Sequence, residues 1–290
     1  MAANSVARPQ VVRAPASAGS GAAKSARGGI DLATPLGLLL AVGGILGGLM
    51  AEGGKAQDVA QITAAIIVFC GTLGAVMVTT PLNILLRAAR KLPQIFVNPG
   101  SNAAGLIEEI LEYASKARRE GIVSLEQDAG AVQDPFLQKA LNLAVDGTDT
   151  QQIREIMDRE IELLERAGEA EAKVYEAAGG YAPTIGIIGA VLGLIQVMKN
   201  LANIDEVGRG IAVAFVATIY GVASANILFL PAANKLKARV QHAIEAKELI
   251  LEGVIGIAEG MHPKLIRSKL EAYIAAAASP GKSKKRGGED

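Results

Sequence analysis

The sequence holds few of the residues that cross-link or catalyse in other proteins. It has one cysteine, Cys70, no tryptophan and 3% aromatic residues in 290 positions. A single cysteine excludes an internal disulfide and a cysteine metal cluster. No Walker loop, HExxH motif, Gly-x-Ser-x-Gly motif or group of metal ligands occurs in the chain. We therefore expect no enzymatic activity, no cofactor and no metal. The 29 basic and 29 acidic residues cancel, and nothing indicates a nucleic-acid partner.

Apolar residues dominate instead, and they are segregated from the charged ones. Half of the residues are apolar and the mean hydropathy is +0.32, although 20% of the residues are charged. Four runs contain no Asp, Glu, Lys, Arg or His, namely 32–51, 59–86, 177–198 and 210–234. Each is about 20 residues or longer, enough to cross a hydrocarbon core about 30 Å thick as a helix. The pattern predicts an all-α integral membrane protein with four transmembrane helices.

The basic residues that flank the runs predict the orientation. They precede the first run and follow the second and fourth, at Arg8, Arg13, Lys24, Arg27, Arg87, Arg90, Lys91, Lys235, Lys237 and Arg239. Since cytoplasmic flanks are enriched in Lys and Arg, both termini should be cytoplasmic and the short loops 52–58 and 199–209 periplasmic. The leader 1–31 and the tail 279–290 are basic and poor in large apolar residues, so we expect them to be disordered. A cleaved signal peptide is disfavoured, because Glu52-Gly53-Gly54 is a poor cleavage site.

The segment 87–176 contains 28 charged residues, 17 of them acidic. Apolar residues recur in it at helical spacing, which predicts a small acidic helical domain on the cytoplasmic side. Gly121, Asp134-Pro135 and Asp146-Gly147 should divide it into short helices. A longer helix from about 150 should run into the third span as a rigid lever. The segment 235–278 has a similar pattern, and we expect its helices to pack against this domain.

The four uncharged runs carry hydroxyls but no carboxylate. Thr218, in the middle of the fourth run, is best placed to line a pathway, whereas most such hydroxyls bond to helix carbonyls. Glycines recur at close spacing in the first span (Gly43, Gly44, Gly47, Gly48) and in the third (Gly186, Gly189, Gly193). This spacing fits packing within the chain and assembly with other subunits equally well. A partner helix would have to supply the carboxylate of an ion pathway.

Several ordered motifs occur in the third and fourth spans and in the charged segment. The third-span motifs are Gly-Gly-Tyr-Ala-Pro-Thr-Ile-Gly at 179–186 and Gly-Ala-Val-Leu-Gly-Leu at 189–194. The fourth-span motifs are Ala-Phe-Val-Ala-Thr at 214–218 and Pro-Ala-Ala-Asn-Lys-Leu-Lys at 231–237. The charged segment adds Ala-Arg-Arg-Glu-Gly at 117–121, Ser-Leu-Glu at 124–126 and Ala-Val-Asp-Gly at 144–147. These motifs resemble those of the MotA/PomA flagellar stator family, within the MotA/TolQ/ExbB superfamily, and the resemblance extends from about 32 to 273.

The resemblance implies a pentameric ring of this chain around a dimer of a MotB-like subunit in the bacterial inner membrane. The partner would carry the ion-binding Asp and a peptidoglycan-binding periplasmic domain. Ion flow would turn the ring, and the acidic domain would push the rotor protein FliG. By position, Arg118 and Glu126 match the rotor-contacting pair, although an exposed charged helix face is the ordinary interpretation of such residues. Pro183 and Pro231 match the prolines that couple ion passage to movement.

The resemblance also implies an ion pathway along Pro183, Thr184, Ala190 and Thr218. Sodium-driven relatives are similar to one another in having Thr where this chain has Ala190. Hard cations need oxygen ligands, so the missing hydroxyl favours protons. Two alternatives remain at this point. The chain could be an energising subunit like TolQ or ExbB, although those have three spans, or it could be a membrane scaffold that conducts no ions.

Overall fold

The computed structural model describes residues 29–98 and 103–277. Helices account for nearly all of them. In chain order these are α1 (Ala33–Ala51), α2 (Ile62–Thr79), α3 (Leu82–Lys91), α4 (Ala103–Glu120), α5 (Glu126–Ala131), α6 (Pro135–Val145), α7 (Thr150–Lys199), α8 (Ile204–Ala258) and α9 (Pro263–Ala277). Two strands of two residues each, Gly29–Ile30 and Val97–Asn98, form an antiparallel pair.

Within the described residues, four helices are long and apolar enough to cross a membrane. They are α1, α2 and the apolar parts of α7 and α8. The predicted all-helical fold with four spans is therefore confirmed. Gly29, Ile30 and Asp31 belong to the leader that we expected to be disordered. Gly29 and Ile30 instead pair with the 97–98 strand, and Asp31 accepts a hydrogen bond of 3.1 Å from the backbone of Ala33, the first residue of α1. The rest of the predicted leader and the tail 279–290 lie outside the described residues.

The second span ends earlier than the uncharged run 59–86 predicted. Helix α2 stops at Thr79, and Thr80 adopts extended backbone angles before Pro81. Proline disfavours the helical conformation of the residue before it and cannot donate the backbone hydrogen bond that a continuing helix needs. The chain restarts as α3, whose residue Ala88 is buried. The uncharged run thus contains one span and the beginning of a separate helix.

The predicted lever is confirmed as a single helix of 50 residues, α7, which carries Pro183 inside its apolar part. Asp149 caps its first turn by accepting a hydrogen bond of 2.9 Å from the backbone of Gln151. Helix α8 is similarly long and contains a π-helical segment, Ser224–Phe229, just before Pro231. Such wide turns are found where a residue interrupts the regular hydrogen-bond ladder, as proline does. Both predicted coupling prolines therefore lie inside membrane-spanning helices.

The polar halves of α7 and α8 join α4, α5, α6 and α9 in one extramembrane domain. Its core contains fully buried residues from every one of these helices, including Ile110, Ala129, Leu141, Met157, Val254 and Leu270. The predicted breaks are confirmed: Gly121 and Gly147 have φ of 87° and 73°, and Asp134 caps α6. Glycine adopts such positive φ values without the steric cost that a side chain adds. The predicted packing of 235–278 on this domain is also confirmed.

Candidate functional site

The spans of α7 and α8 approach each other along glycines. A β-carbon on Gly221 would lie 2.5 Å from the carbonyl oxygen of Ala182 and 3.1 Å from the α-carbon of Gly186. A β-carbon on Gly193 would lie 2.7 Å from the carbonyl oxygen of Gly210. Real side chains do not fit at such distances, so these glycines bring the two backbones into contact. The third-span glycines therefore serve packing within the chain.

The glycines of the first span behave differently. A β-carbon on Gly43, Gly44, Gly47 or Gly48 would meet no atom within 4 Å, and no residue of α1 is buried. Cys70 is likewise exposed on α2. The first and third spans share a glycine spacing, but only the glycines of the third span contact another helix of this chain. The outer surface of α1 is left for lipid or for another chain.

Two of the predicted pathway residues lie on the contact between α7 and α8. A β-carbon on Gly221 would lie 3.2 Å from the α-carbon of Pro183. A β-carbon on Gly186 would lie 3.5 Å from the α-carbon of Thr218. Ala190 is half-buried on α7, and Thr184 is exposed. The structure thus brings Pro183 and Thr218 to one helix contact and places Thr184 on an outer face.

The two threonine hydroxyls bond to their own helices. Thr218 donates to the carbonyl of Ala214 at 3.2 Å, and Thr184 donates to that of Tyr181 at 2.8 Å. Their oxygens can still accept a hydrogen bond. A hydroxyl, however, does not bind and release a proton near neutral pH as a carboxylate can. The four uncharged runs contain no carboxylate. A proton or cation pathway along this face therefore needs an acidic group from another chain.

A buried hydroxyl that we did not single out lies on α2. Thr72 is 2% exposed, and its Oγ1 has no hydrogen-bond partner among the described residues. Threonine in a helix normally donates to a carbonyl three or four residues earlier. Here those carbonyls belong to the π-helical segment Ile66–Cys70, whose hydrogen bonds follow a different register. No sequence pattern marked this segment, so the unpaired hydroxyl could not be foreseen.

The predicted rotor-contacting residues lie at the surface of the extramembrane domain. Arg118 is exposed near the end of α4, and Glu126 is exposed at the start of α5. The two helices are held together by an ion pair of 2.7 Å between Lys116 and Asp128. Arg118 also borders a cavity of 180 Å³ between α4 and the end of α8. Both charges are therefore accessible to a partner, and they lie on two helices that this ion pair holds together.

A charged network that sequence reasoning missed lies where α7 leaves the membrane. Glu171 is 4% exposed, and Lys91 Nζ lies 2.6 Å from its Oε2. Arg87 Nε lies 3.9 Å from the other carboxylate oxygen. The Tyr175 hydroxyl donates to the carbonyl of Ala88 at 2.9 Å. These contacts attach α3 to the lever, and they join residues about 80 positions apart, beyond the reach of any local pattern.

A second network stabilises the far end of the lever. Glu252 of α8 contacts Arg154 of α7 at 2.7 Å and Lys269 of α9 at 2.6 Å. Partial burial raises the pKa of Glu252, but the hydrogen bonds from Arg154 and Lys269 outweigh it and leave that pKa below its ordinary value. Three helices of the extramembrane domain therefore meet at one ionised carboxylate. No metal-binding group of three or more His, Cys, Asp or Glu side chains was found in residues 29–98 and 103–277.

The fold and the site define a multi-pass helical membrane protein whose third and fourth spans continue as long helices into an extramembrane domain. The model of the MotA/TolQ/ExbB proton channel family matches residues 128–249, and that of the Motility protein A N-terminal region matches residues 35–121. The chain belongs to this family, whose members are inner-membrane proteins and channels rather than enzymes.

Relatives match over nearly their whole length. Motility protein A of Bacillus subtilis is 37% identical over 85% of this chain and 92% of its own. The structure of C. jejuni MotAB has a TM-score of 0.80 at 32% identity, covering 90% of this chain and all of that one. The flagellar MotAB stator complex of Bacillus subtilis has a TM-score of 0.77 at 34% identity, covering 86% and 99%. The likeness therefore includes both the membrane spans and the extramembrane domain.

Proposed function

We propose that this chain is the ring-forming stator subunit of a bacterial flagellar motor, which couples ion flow to torque on the rotor. The observation that carries this proposal is the match with MotAB structures, which covers 90% and 86% of this chain. The match to the Motility protein A N-terminal model also covers the first two spans. TolQ-like or ExbB-like subunits with three spans would not require that region.

The stator contains a second subunit, which supplies the carboxylate that the spans of this chain lack. A dimer of a MotB-like protein contributes one helix per copy, each with an Asp that faces Thr218 and Pro183. Five copies of this chain surround it. Two features support this assembly: α1 has no buried residue, and the α7–α8 contact offers hydroxyls without an acid.

Both termini lie in the cytoplasm, and the extramembrane domain faces the rotor protein FliG. The basic residues beside the spans support this orientation. Proton binding to the partner's Asp shifts the packing at Pro183, and α7 carries this movement as one unbroken helix to the domain that bears Arg118 and Glu126. The continuity of α7 over 50 residues supports this coupling, because a helix transmits displacement over its full length.

Deletion of the gene tests the proposal. We expect the cells to lose swimming while their filaments still assemble, and a plasmid copy to restore swimming. Normal swimming in a strain without a second stator set would contradict the motor function. Loss of outer-membrane integrity with intact swimming would instead favour a role like that of TolQ or ExbB. Unchanged swimming and an intact outer membrane would favour the scaffold.

A further inference from the structure

Tyr220 is a polar side chain within the fourth uncharged run, and its hydroxyl bonds to the chain just before α2. It donates a hydrogen bond of 2.5 Å to the carbonyl of Val59 and accepts one of 3.3 Å from the backbone N–H of Gln61. Its ring centroid lies 6.2 Å from that of Phe69 on α2. A single side chain of α8 therefore contacts both α2 and the residues that precede it.

The backbone that Tyr220 contacts is not α-helical. A short 3₁₀ turn, Ala56–Val59, is followed by Ala60 with φ of −89° and ψ of 79°. Gln61 is extended, with φ of −115° and ψ of 107°, and α2 begins at the next residue. The uncharged run also begins here, at Val59, and backbone groups without a partner at the edge of a hydrocarbon layer are costly. The Tyr220 hydroxyl satisfies one acceptor and one donor of the segment 59–61, so it fixes where α2 starts.

The start of α2 lies close to predicted pathway residues. Helices α2, α7 and α8 meet at Gly189, where a β-carbon would lie 2.7 Å from the β-carbon of Ala217 and 3.3 Å from Cγ2 of Ile67. Ile67 is in the second turn of α2. Ala190 directly follows Gly189 in the chain. In the same way, Thr218 directly follows Ala217. A displacement of the first turns of α2 would therefore change the packing beside both pathway residues.

Tyr220 and Thr218 face different helices. They are two residues apart, which corresponds to about 200° around a helix, so the two side chains leave α8 on nearly opposite sides. Thr218 lies on the contact with α7, whereas Tyr220 contacts α2. Ala64 of α2 and Ala217 of α8 are fully buried in one apolar cluster, against which Tyr220 packs. Tyr220 can therefore influence the pathway by positioning α2, but it faces away from the contact between α7 and α8.

We propose that Tyr220 is a positioning residue for ion passage: its hydroxyl fixes the segment 59–61, and thereby the packing of α2 beside Ala190 and Thr218. The inference rests on the proposed motor function. The segment adjoins the loop 52–58, which is predicted to be periplasmic, so it lies at the end of the spans where ions enter. Without the hydroxyl the segment detaches from α8 for part of the time, and ions pass more slowly. The energy released per ion stays the same, because the gradient sets it.

The first test is independent of motor function. Tyr220→Phe removes the hydroxyl and keeps the ring, and hydrogen exchange of residues 55–65 is followed by mass spectrometry in the protein purified from membranes in its native assembly. We expect the Gln61 amide to exchange about fivefold faster, which corresponds to about 1 kcal/mol, the usual net contribution of one hydrogen bond. Tyr175→Phe is the matched control, because it removes a hydroxyl that bonds to the carbonyl of Ala88 at 2.9 Å, and exchange of residues 55–65 should not change in it. Unchanged exchange in Tyr220→Phe would overturn the inference.

The second test separates ion passage from assembly. At high load the torque of each stator depends on the energy released per ion, whereas at low load the rotation speed depends on how fast ions pass. We expect Tyr220→Phe to lower the low-load speed about twofold to fivefold, within the factor that one hydrogen bond contributes, and to leave the high-load torque per stator unchanged. Counting fluorescent stators at each motor gives the torque per stator.

An equal fall at both loads, or no fall at low load, would overturn the positioning role. Swimming that survives deletion of the gene in a strain without a second stator set would contradict the motor function itself, and the role in ion passage with it. The hydrogen exchange would still decide whether the Tyr220 hydroxyl fixes the segment 59–61, because that measurement needs no motor.

Discussion

The carboxylate of Glu171 lies 2.6 Å from the ammonium group of Lys91, at the place where α7 leaves the membrane. Glu171 is 4% exposed, and one of its oxygens has no aligned hydrogen bond, so the pair is held mainly by charge. The nearby hydrogen bond from Tyr175 to Ala88 fixes the same two helices. Helix α3 is thus attached to α7 by a close ion pair from Lys91, a longer one from Arg87 and one hydrogen bond.

Removing the cation from this pair should destabilise the protein. Lys91→Gln leaves a buried carboxylate with only the more distant Arg87, and the cost should be about 1–3 kcal/mol. The double variant with Glu171→Gln should recover part of the loss, because no buried charge then remains. The measurement is the temperature at which half of the purified complex stays monodisperse. Lys139→Gln, which breaks an exposed pair of 2.8 Å with Glu160, is the control and should cost little.

The contact between α7 and α8 should not tolerate a methyl group. At Gly221 a β-carbon would lie 2.5 Å from a backbone oxygen, and backbone cannot move aside as a flexible side chain can. Gly221→Ala should therefore cost about 1–3 kcal/mol and lower the amount of folded protein in the membrane. At Gly180, on the same helix α7, nothing lies within 4 Å, so Gly180→Ala should be neutral or stabilising by up to about 1 kcal/mol. Equal losses in both variants would contradict this account of the contact.

Composition and local turn chemistry predicted much of the fold. The uncharged runs identified all four spans, and Gly121, Asp134 and Gly147 marked the breaks between short helices, because these features depend on neighbouring residues alone. The end of α2 at Thr79 was missed, although Pro81 was visible, because the uncharged run continued past it. The attachment of α3 through Glu171 depends on residues far apart in sequence, which no local pattern reports.

The candidate site was predictable in part. The resemblance located Pro183 and Thr218, and the structure brings both to the contact between α7 and α8. The role of the glycines could not be read from spacing, since Gly43–Gly47 and Gly189–Gly193 have the same interval but different surroundings. Only the positions of other helices decide whether such a face is covered.

Acid should loosen the junction of α7, α8 and α9. The pKa of Glu252 is lower in the folded protein than its ordinary value of 4.5, so its pairing stabilises the fold above about pH 4.5 and is lost as the pH falls below that value. Thermal unfolding between pH 3.5 and 6 should show a falling midpoint in the acid range. Glu252→Gln should be less stable at pH 7 and should lose less on acidification. A parallel acid loss in both proteins would show that other carboxylates are responsible.

Neutralising Arg118 should weaken action on the rotor without affecting assembly. An exposed charge pair is worth up to about 1 kcal/mol, so Arg118→Gln should reduce occupancy of the stator at the motor about fivefold. The measurements are torque on tethered cells and the number of fluorescent stators at each motor. Arg159→Gln, which neutralises another exposed arginine of the same domain, is the control. Unchanged torque with Arg118→Gln in a strain with a weakened rotor would remove Arg118 from the rotor-facing surface.

Two substitutions of Ala190 test which ion the protein uses. Threonine and valine have nearly the same shape, but only threonine carries a hydroxyl. With Ala190 in place, swimming should stop with a protonophore and ignore sodium. Ala190→Thr adds an oxygen to a half-buried position of α7, and hard cations bind oxygen, so its swimming speed should become sodium-sensitive, about twofold between low and high sodium. Ala190→Val adds the same bulk without the oxygen and should stay insensitive. Sodium-dependent speed in the unchanged protein would show that the ion is not the proton, since the oxygens for sodium would then come from elsewhere on the path.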